Sequence, residues 1–371
     1  MISFQPTEEQ ELVRDAMHEF AEKSLRPCAR ECDEAESVPD DLLQEAWGLG
    51  LTATQLPEEF GGGGEVRSPL TNTLLLEELS WGDAALALAA VSPSLFAFPV
   101  ADQGTPEQKS RYLPAFGGER FHAASLALVE PSPVFDPTRM RTLAEPKGDR
   151  FVLSGAKCFV PMGDRASHFL VLARNGSSAE EGFGALDAFV VPRDAHGLSI
   201  SLPERNLGLK ALPTAALEFD RVEVPVADRL GGDEGIDARR LVNHSRTAMA
   251  AVMVGLGRAV MDYAIPYAKD RVAFDQAIAQ KQAVAFMLSD MAIETDACRW
   301  LVWKAASQLE QGLDATRSTH LARSYTAEQC MKIADNGVQV LGGHGFIREH
   351  PVEMWYRNAR TLGVLDGLAG I

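Results

Sequence analysis

The stretch RFVLSGAKCFV, residues 150–160, decides the fold, because it is a short run of apolar, β-branched and aromatic residues in the middle of a largely helical sequence. Similar runs separated by Gly, Pro, Asp and Asn follow it: HFLVLARN (168–175), LDAFVVP (186–192), LSISL (198–202) and ALEFDRVEV (216–224). Short strands at this spacing are typical of all-β domains. From Phe121 to about Leu230 we therefore expect an antiparallel β-domain or a small barrel.

The sequence before this region has a helical pattern from Thr7 to about Gly117. Thr7 and Gln10 have the spacing of a capping box, and apolar residues then recur on one helix face. Further helical stretches are predicted at Asp41–Leu49, Thr71–Ser80 and Thr105–Tyr112.

The sequence after about Asp237 is helical again, with long helices predicted at roughly 237–270, 278–312 and 318–341. The first is rich in Ala and Gly, which permits close helix packing and favours a four-helix bundle. The predicted fold is α+β and multidomain: a helical domain (1–118), a β-barrel-like middle domain (119–230) and a C-terminal helical bundle (231–371).

Composition narrows the class of protein. A net charge of −17 argues against nucleic acid or an anionic membrane surface as a partner. The N-terminus lacks the pattern of a signal peptide and no membrane span is expected, so a cytoplasmic location is predicted. Five cysteines at unrelated spacings indicate reduced thiols, and no metal site is predicted.

Several strings, in order along nearly the whole chain, resemble the acyl-CoA dehydrogenase family. They are LPEEFGGGG (56–64), GTPEQKSRYLPAFGGER (104–120), LVEPSPVFD (128–136), SGAKCFVPMGDRA (154–166), DRVAFDQAIAQKQAVAFMLSDMA (270–292) and QVLGGHGFIREHPVEMWYRNAR (339–360). The resemblance implies a flavoprotein with FAD between the β-domain and the bundle. Such enzymes remove the α-proton of an acyl-CoA thioester while the flavin takes a hydride from the β-carbon. The reduced flavin then passes its electrons to an electron-transferring flavoprotein.

Six positions match family residues that reach across a subunit interface to FAD bound mainly by the neighbour. They are Arg271, Phe274, Gln282, Gln339, Gly342 and Gly343. An arginine can bind a pyrophosphate through two hydrogen bonds, and glycine lets the backbone approach the dinucleotide. Asp275 is a departure, since the family has Gly there. Arg246 matches an Arg near the acyl-CoA pocket, and Asn243 lies where the family often has an acidic residue.

Other departures concentrate where the family cradles the flavin of the same subunit. The hydroxyl residues of the family's TEP, AGSD and WIT strings and its tryptophan become Val129, Phe135, Pro161 and Phe159, and two further FAD-contacting residues become Leu368 and Gly370. The resemblance places Asp366 at the catalytic Glu. Aspartate is a competent base, but its carboxylate is one methylene further back, and a displacement of about 1 Å can cost about a hundredfold in rate.

These matches leave three functions open. The chain is a self-sufficient acyl-CoA dehydrogenase that uses Asp366 as its base, a catalytically reduced subunit that completes the FAD site of a related subunit, or a flavin oxidase of another carbon acid, as in nitroalkane oxidases. Some bacterial family members form mixed tetramers, notably in steroid side-chain breakdown. Residues serving the neighbour's FAD remain while those serving the chain's own FAD have changed, which favours the second function.

Overall fold

A computed structural model describes residues 5–371, and its N-terminal third is helical. The helices are α1 (Glu8–Phe20), α2 (Arg26–Ala35), α3 (Asp40–Gly48), α4 (Pro69–Gly82), α5 (Ala84–Val91), α6 (Ser94–Gln103) and α7 (Pro106–Tyr112). The predicted capping box is confirmed: the Thr7 hydroxyl accepts from the Gln10 N–H at 3.2 Å, and the Gln10 side-chain oxygen accepts from the Thr7 N–H at 3.0 Å. A π-helical turn (Ala21–Leu25) joins α1 to α2.

The middle third forms a β-domain, as expected, but its sheet is mixed and not antiparallel throughout. Its strands are β1 (Ser125–Ala127), β2 (Leu143–Lys147), β3 (Arg150–Pro161), β4 (His168–Asn175), β5 (Leu186–Pro192), β6 (Leu198–Ile200) and β7 (Thr214–Pro225). They form one sheet in the order β1-β4-β2-β3-β7-β6, with β5 also paired to β4. The pairs β1–β4 and β2–β4 are parallel and the other four pairs are antiparallel. Long connections permit the parallel pairs, since parallel strands cannot be joined by a tight turn.

The last third is a helical bundle, as predicted. It contains α8 (Ala238–Asp270), α9 (Gln282–Glu310), α10 (Thr316–Leu341) and the shorter α11 (Val352–Leu362), with a hairpin of β8 (Val272–Ala273) and β9 (Gln276–Ala277) between α8 and α9. The small residues of α8 do allow close packing. A Cβ at Gly255 would lie 2.2 Å from the main-chain oxygen of Glu77 on α4, so no larger residue fits there.

Buried ion pairs hold α4 against this bundle. Arg299 of α9 donates to Glu77 at 3.0 Å, and Arg258 of α8 donates to Glu78 at 2.6 Å. Burial raises the pKa of Glu77, and the charge of Arg299 opposes that rise. The N-terminal helices and the bundle therefore share one interior, whose largest apolar cluster includes residues from both.

Within residues 5–371, α8 has the length and composition of a membrane-crossing helix, and the bent pair α5 and α6 passes the same test together. In α8, 72% of the most apolar window is buried inside the protein. A core helix has the same properties.

Candidate cofactor and catalytic site

A hairpin just beyond α8 positions the first predicted cofactor residues. The helix ends at Arg271, whose main-chain N–H donates to the main-chain oxygen of Tyr267 at 2.9 Å. The main-chain oxygen of Arg271 accepts from the Ile278 N–H at 2.8 Å. Phe274 and Asp275 form the two-residue turn, with φ of 54° and 63°. A tight hairpin turn of this hand requires positive φ at both positions, and aspartate tolerates it better than most residues. Asp275 is thus compatible with the turn in which the family has Gly.

Gln282 begins α9 next to this hairpin. The ammonium of the preceding residue, Lys281, lies 5.5 Å from the centre of the Phe274 ring. The structure therefore brings Arg271, Phe274 and Gln282 together at one end of the bundle. All three are exposed.

A glycine turn after α10 carries the other three predicted cofactor residues. Gly342 has φ 58° and ψ −127°, a conformation that requires glycine. A Cβ built at Gly342 or Gly343 would meet no atom within 4 Å, so the outer face of the turn is open. Gln339 lies in the last turn of α10 and is also exposed.

Two tyrosines on one face of α8 bind this turn to the hairpin end of the bundle. The Tyr267 hydroxyl is 2.9 Å from His344 Nδ1, and the Tyr263 hydroxyl is 2.7 Å from His350 Nδ1. The two histidine rings stack with centres 5.0 Å apart. Sequence reasoning missed these positioning residues, although the spacing of four between the tyrosines on a helix was a usable signal.

The exposed side chains predicted to contact the cofactor have free hydrogen-bonding groups. Within residues 5–371, the side chains of Arg271, Gln282 and Gln339 make no hydrogen bond or ion pair. A free guanidinium and two free amides around an open glycine turn fit a phosphate-bearing ligand that approaches from outside the chain.

Asp366 lies in a different environment, beyond the end of α11. Its Oδ2 accepts from Arg246 Nε at 3.1 Å and Nη2 at 2.9 Å, and its Oδ1 accepts from Arg323 Nε at 3.4 Å. The Asp366 side chain is 14% exposed. The structure therefore brings the two predicted residues Asp366 and Arg246 together, and both carboxylate oxygens are engaged by guanidinium groups.

Arg323 of α10 was missed by sequence reasoning. Its Nη2 donates to the main-chain oxygens of Leu362 and Leu365, at 2.9 and 2.6 Å. Burial lowers the pKa of Arg323, and the negative charge of Asp366 opposes that change. The available signal was an arginine among the small and apolar residues of a helix face that packs against α8.

Two positions of the predicted flavin cradle, Phe159 and Pro161, lie at or beside an irregularity of β3. The register with β7 shifts between Lys157 and Val160. Phe159 takes φ 53° there, which is strained for an aromatic residue. Its N–H donates to Glu204 Oε2 at 2.9 Å, and its ring packs against the apolar cluster of the bundle.

Neighbouring backbone donors of the cradle are also used within the chain. The Cys158 N–H donates to the Val129 oxygen at 2.9 Å, and the Met162 N–H donates to the Pro213 oxygen at 2.7 Å. Pro161 has no N–H to offer. Val129 is buried and Phe135 packs against a second apolar cluster.

These residues do not fit an isoalloxazine ring, whose carbonyls and nitrogens need hydrogen-bond partners when buried. The cradle positions present Val, Phe and Pro side chains, and the backbone donors at 158, 159 and 162 already have partners. Leu368 is fully buried and is apolar as well.

Two other features lie outside the candidate site. A cleft of about 750 Å³ is bounded by α1, residues 49–55 and residues 65–75, and no predicted site residue lines it. Among the described residues, no group of three or more His, Cys, Asp or Glu side chains is arranged to hold a metal ion.

Comparison with known proteins gives three consecutive family matches. The N-terminal domain model of acyl-CoA dehydrogenases matches residues 7–118, the middle domain model matches residues 125–222, and the C-terminal domain model matches residues 234–371.

Individual relatives match over almost the full chain. A probable acyl-CoA dehydrogenase of Mycobacterium tuberculosis is 33% identical over 368 residues, which are 98% of this chain and 93% of that protein. The structure of butyryl-CoA dehydrogenase from Megasphaera elsdenii has a TM-score of 0.88 at 28% identity and covers 100% of this chain and 96% of its own. A chain from a structural study of the electron transferring flavoprotein of Acidaminococcus fermentans has a TM-score of 0.88 at 30% identity. The match covers 100% of this chain and 96% of the Acidaminococcus chain.

Proposed function

Because this chain belongs to the acyl-CoA dehydrogenase family, whose cofactor is FAD, we propose that it is the subunit of a heteromeric dehydrogenase that completes the FAD site of a related subunit. The assembly carries out the α,β-dehydrogenation of an acyl-CoA thioester. This chain supplies binding groups at the subunit interface, and the related subunit supplies the catalytic base.

The proposal rests on one observation. The positions predicted to contact a neighbour's FAD have free hydrogen-bond donors, and the positions predicted to contact the chain's own FAD do not. Arg271, Gln282 and Gln339 are exposed with unused donors beside an open glycine turn. In the chain's own cradle, Pro161 and Val129 are buried and apolar. Donors aimed outward contribute to a site only when another chain provides its remaining walls.

The surface around the hairpin supports a protein partner. Phe274 is 87% exposed, Phe346 after the glycine turn is 77% exposed, and Phe286 and Ile293, seven residues apart on α9, are 60% and 63% exposed. Exposed aromatic and aliphatic side chains next to unpaired polar groups are typical of protein interfaces. A related subunit seated here would cover them and bring its own flavin site to Arg271.

The group that this chain would hold is the phosphate-bearing half of FAD. Arg271 would bind the pyrophosphate in a bidentate manner, and the backbone at Gly342 and Gly343 would lie against it. FAD in the related subunit's site supplies the hydride acceptor for the acyl-CoA. An electron-transferring flavoprotein is the proposed acceptor of the electrons, as the resemblance implies and as the similarity to the Acidaminococcus chain supports.

The test is flavin content in the mixed assembly. We would co-purify the chain with a related acyl-CoA dehydrogenase subunit and measure FAD per polypeptide for wild type, Arg271→Ala and Arg317→Ala. Arg317 is exposed at the opposite end of α10 and serves as the matched control. The expected result is loss of FAD from Arg271→Ala alone. Unchanged FAD in that variant, with the assembly intact, would contradict the donor role.

A second function has an observation in its favour. Asp366, aligned with the family's base, lies 2.9 Å from Arg246, aligned with the acyl-CoA pocket. That proximity is what a self-sufficient dehydrogenase needs. In such an enzyme Asp366→Asn would lower turnover by at least about a hundredfold. In the donor subunit the same change leaves acyl-CoA-dependent flavin reduction in the mixed assembly largely intact, so this variant separates the two functions.

A further inference from the structure

The segment that follows Asp366 turns into the interior of the protein. Gly367 has φ 77°, and a Cβ there would lie 3.0 Å from the Leu128 Cβ. Leu368 and Ala369 are 0% exposed and Ile371 is 1% exposed. We refer to residues 367–371 as the inner segment.

Polar contacts fix the inner segment at both ends. Asp366 is bound by Arg246 and Arg323 on one side. On the other side, His244 Nδ1 lies 2.5 Å from the main-chain oxygen of Ile371. Because that oxygen is an acceptor, Nδ1 is the protonated nitrogen. Burial lowers the pKa of His244 to about 3, so the ring is neutral and Nε2 carries a lone pair.

The space around the inner segment is nearly filled. A cavity of about 30 Å³ lies between Leu95 and Phe98 of α6, His244 and Ser245 of α8, and Ile371. A second, of about 20 Å³, lies on the α4 side of Phe98 and Gly370. One water needs about 10–15 Å³ on this scale, so the two cavities hold a few waters and no acyl chain.

This interior is where an acyl group must lie if Asp366 occupies the position of the base. A base works within about 3 Å of the proton that it removes, so the α- and β-carbons of a substrate must lie next to the carboxylate. The residues after Asp366 fill the interior next to it: Gly370 lies among residues of α4 and α6, and Ile371 lies among residues of α6 and α8. Leu368 and Ala369 are fully buried there as well.

We propose that the inner segment occupies the acyl groove of this chain and excludes an acyl-CoA from it. The inference deepens the proposed function, since it rests on the family alignment of Asp366 and explains why a donor subunit does not compete for substrate. The groove itself retains the chemistry of an acyl site. Its walls are apolar at Leu95, Phe98 and Leu241, while Arg67, paired with Asp102, and Arg240 line its other side. At its end the lone pair of His244 Nε2 and the Ser245 hydroxyl have no hydrogen-bond partner among the described residues.

The test compares binding of octanoyl-CoA with binding of CoA, by calorimetry, on the chain alone without FAD or partner. In the full chain the octanoyl group adds nothing to affinity. In a chain that ends at Gly367 it adds about tenfold or more, because the emptied groove buries several methylenes. An equal preference for octanoyl-CoA in both chains overturns the proposal. So does a folded shortened chain with no preference.

A second variant tests the proposal if the shortened chain does not fold. Leu368→Ala with Ile371→Ala keeps the backbone of the inner segment and enlarges the cavities, and Val364→Ala, at a position 74% exposed, is the control. The double variant should gain melting temperature with octanoyl-CoA relative to CoA, and the control should not. Absence of that gain contradicts the proposal. Since neither readout uses flavin or a partner, its failure is distinguishable from failure of the donor role, which the FAD content of Arg271→Ala tests.

Discussion

The hairpin end of the bundle and the region around Asp366 are built from the same kinds of residues and differ in what those residues contact. At the hairpin end, Arg271 ends a helix and its guanidinium extends into solvent. Around Asp366, Arg246 and Arg323 form ion pairs with the carboxylate of Asp366 in the same chain. An arginine is available to a ligand only when the fold leaves it unpaired, and only the first region does so.

The difference extends to the backbone. The glycine turn after α10 leaves an open face, since a Cβ at Gly342 would meet no atom within 4 Å. The strand end at Phe159 offers no such face, because its N–H is bonded to Glu204. The glycine turn thus has backbone that another molecule can contact, whereas the backbone donor at Phe159 is already bonded within the chain.

The largest expected effect tests whether the closed region is packed as a core. Leu368→Ala should lower the free energy of unfolding by about 2–5 kcal/mol, because a fully buried leucine leaves a cavity that its neighbours fill only in part. Val364→Ala, four residues earlier and 74% exposed, should cost less than about 0.5 kcal/mol. Denaturant unfolding of the two variants measures both. Equal small losses would mean that the inner segment is not packed.

The next effect tests the two arginines. Asp366→Asn should cost about 3 kcal/mol of unfolding free energy, since it leaves two largely buried guanidiniums without their counter-charge. Asp335→Asn, at an exposed position of α10, is the control and should be near neutral. Thermal unfolding checks the pair. A neutral Asp366→Asn would show that the carboxylate is free and restore it as a candidate base.

A smaller effect concerns pH and His244. Its pKa is about 3 in the folded protein, through burial and the positive charges of Arg67 and Arg240, and about 6.5 when unfolded. Asp102 lines the same cavity and is paired with Arg67.

Between these two pKa values the unfolded state binds the proton and the folded state does not, so stability falls as the pH decreases below 6.5. From pH 7 to pH 5, wild type should lose about 2 kcal/mol more than His244→Asn, which keeps a donor and cannot titrate. Unfolding of both at the two pH values measures the difference. Parallel losses would show that the imidazole is not buried in its neutral form.

Much of the fold was predictable because its signals are local. The capping box at Thr7, the long helices of the bundle and the strand runs depend on residues close in sequence, and the structure contains all of them. The positions of the predicted cofactor residues came from the family resemblance, and the structure shows that Arg271 and Gly342 follow directly after helix ends.

What the sequence did not reveal depends on contacts between distant residues. The parallel pair β1–β4 joins residues more than forty apart in sequence. Arg323 and Asp366 are 43 residues apart, and the main-chain oxygen of Ile371 is hydrogen-bonded to His244, 127 residues away. No periodicity or motif encodes such pairs, so the closure of the region around Asp366 required the three-dimensional structure.

The smallest effect on the chain itself is expected at the open region. Arg271→Ala should change the unfolding free energy of the isolated chain by less than about 0.5 kcal/mol, because the side chain is exposed and makes no hydrogen bond or ion pair with the described residues. A loss above about 1 kcal/mol would mean that Arg271 stabilises this fold and is not reserved for a ligand.

The most direct measurement of the central claim is the FAD content of the chain purified alone, followed by that of the chain purified with a related subunit. The closed cradle at Val129, Phe135, Phe159 and Pro161 predicts little FAD in the first sample, and the exposed residues around Arg271 predict tightly bound FAD in the second. A homo-oligomer that carries one tightly bound FAD per chain would contradict the account.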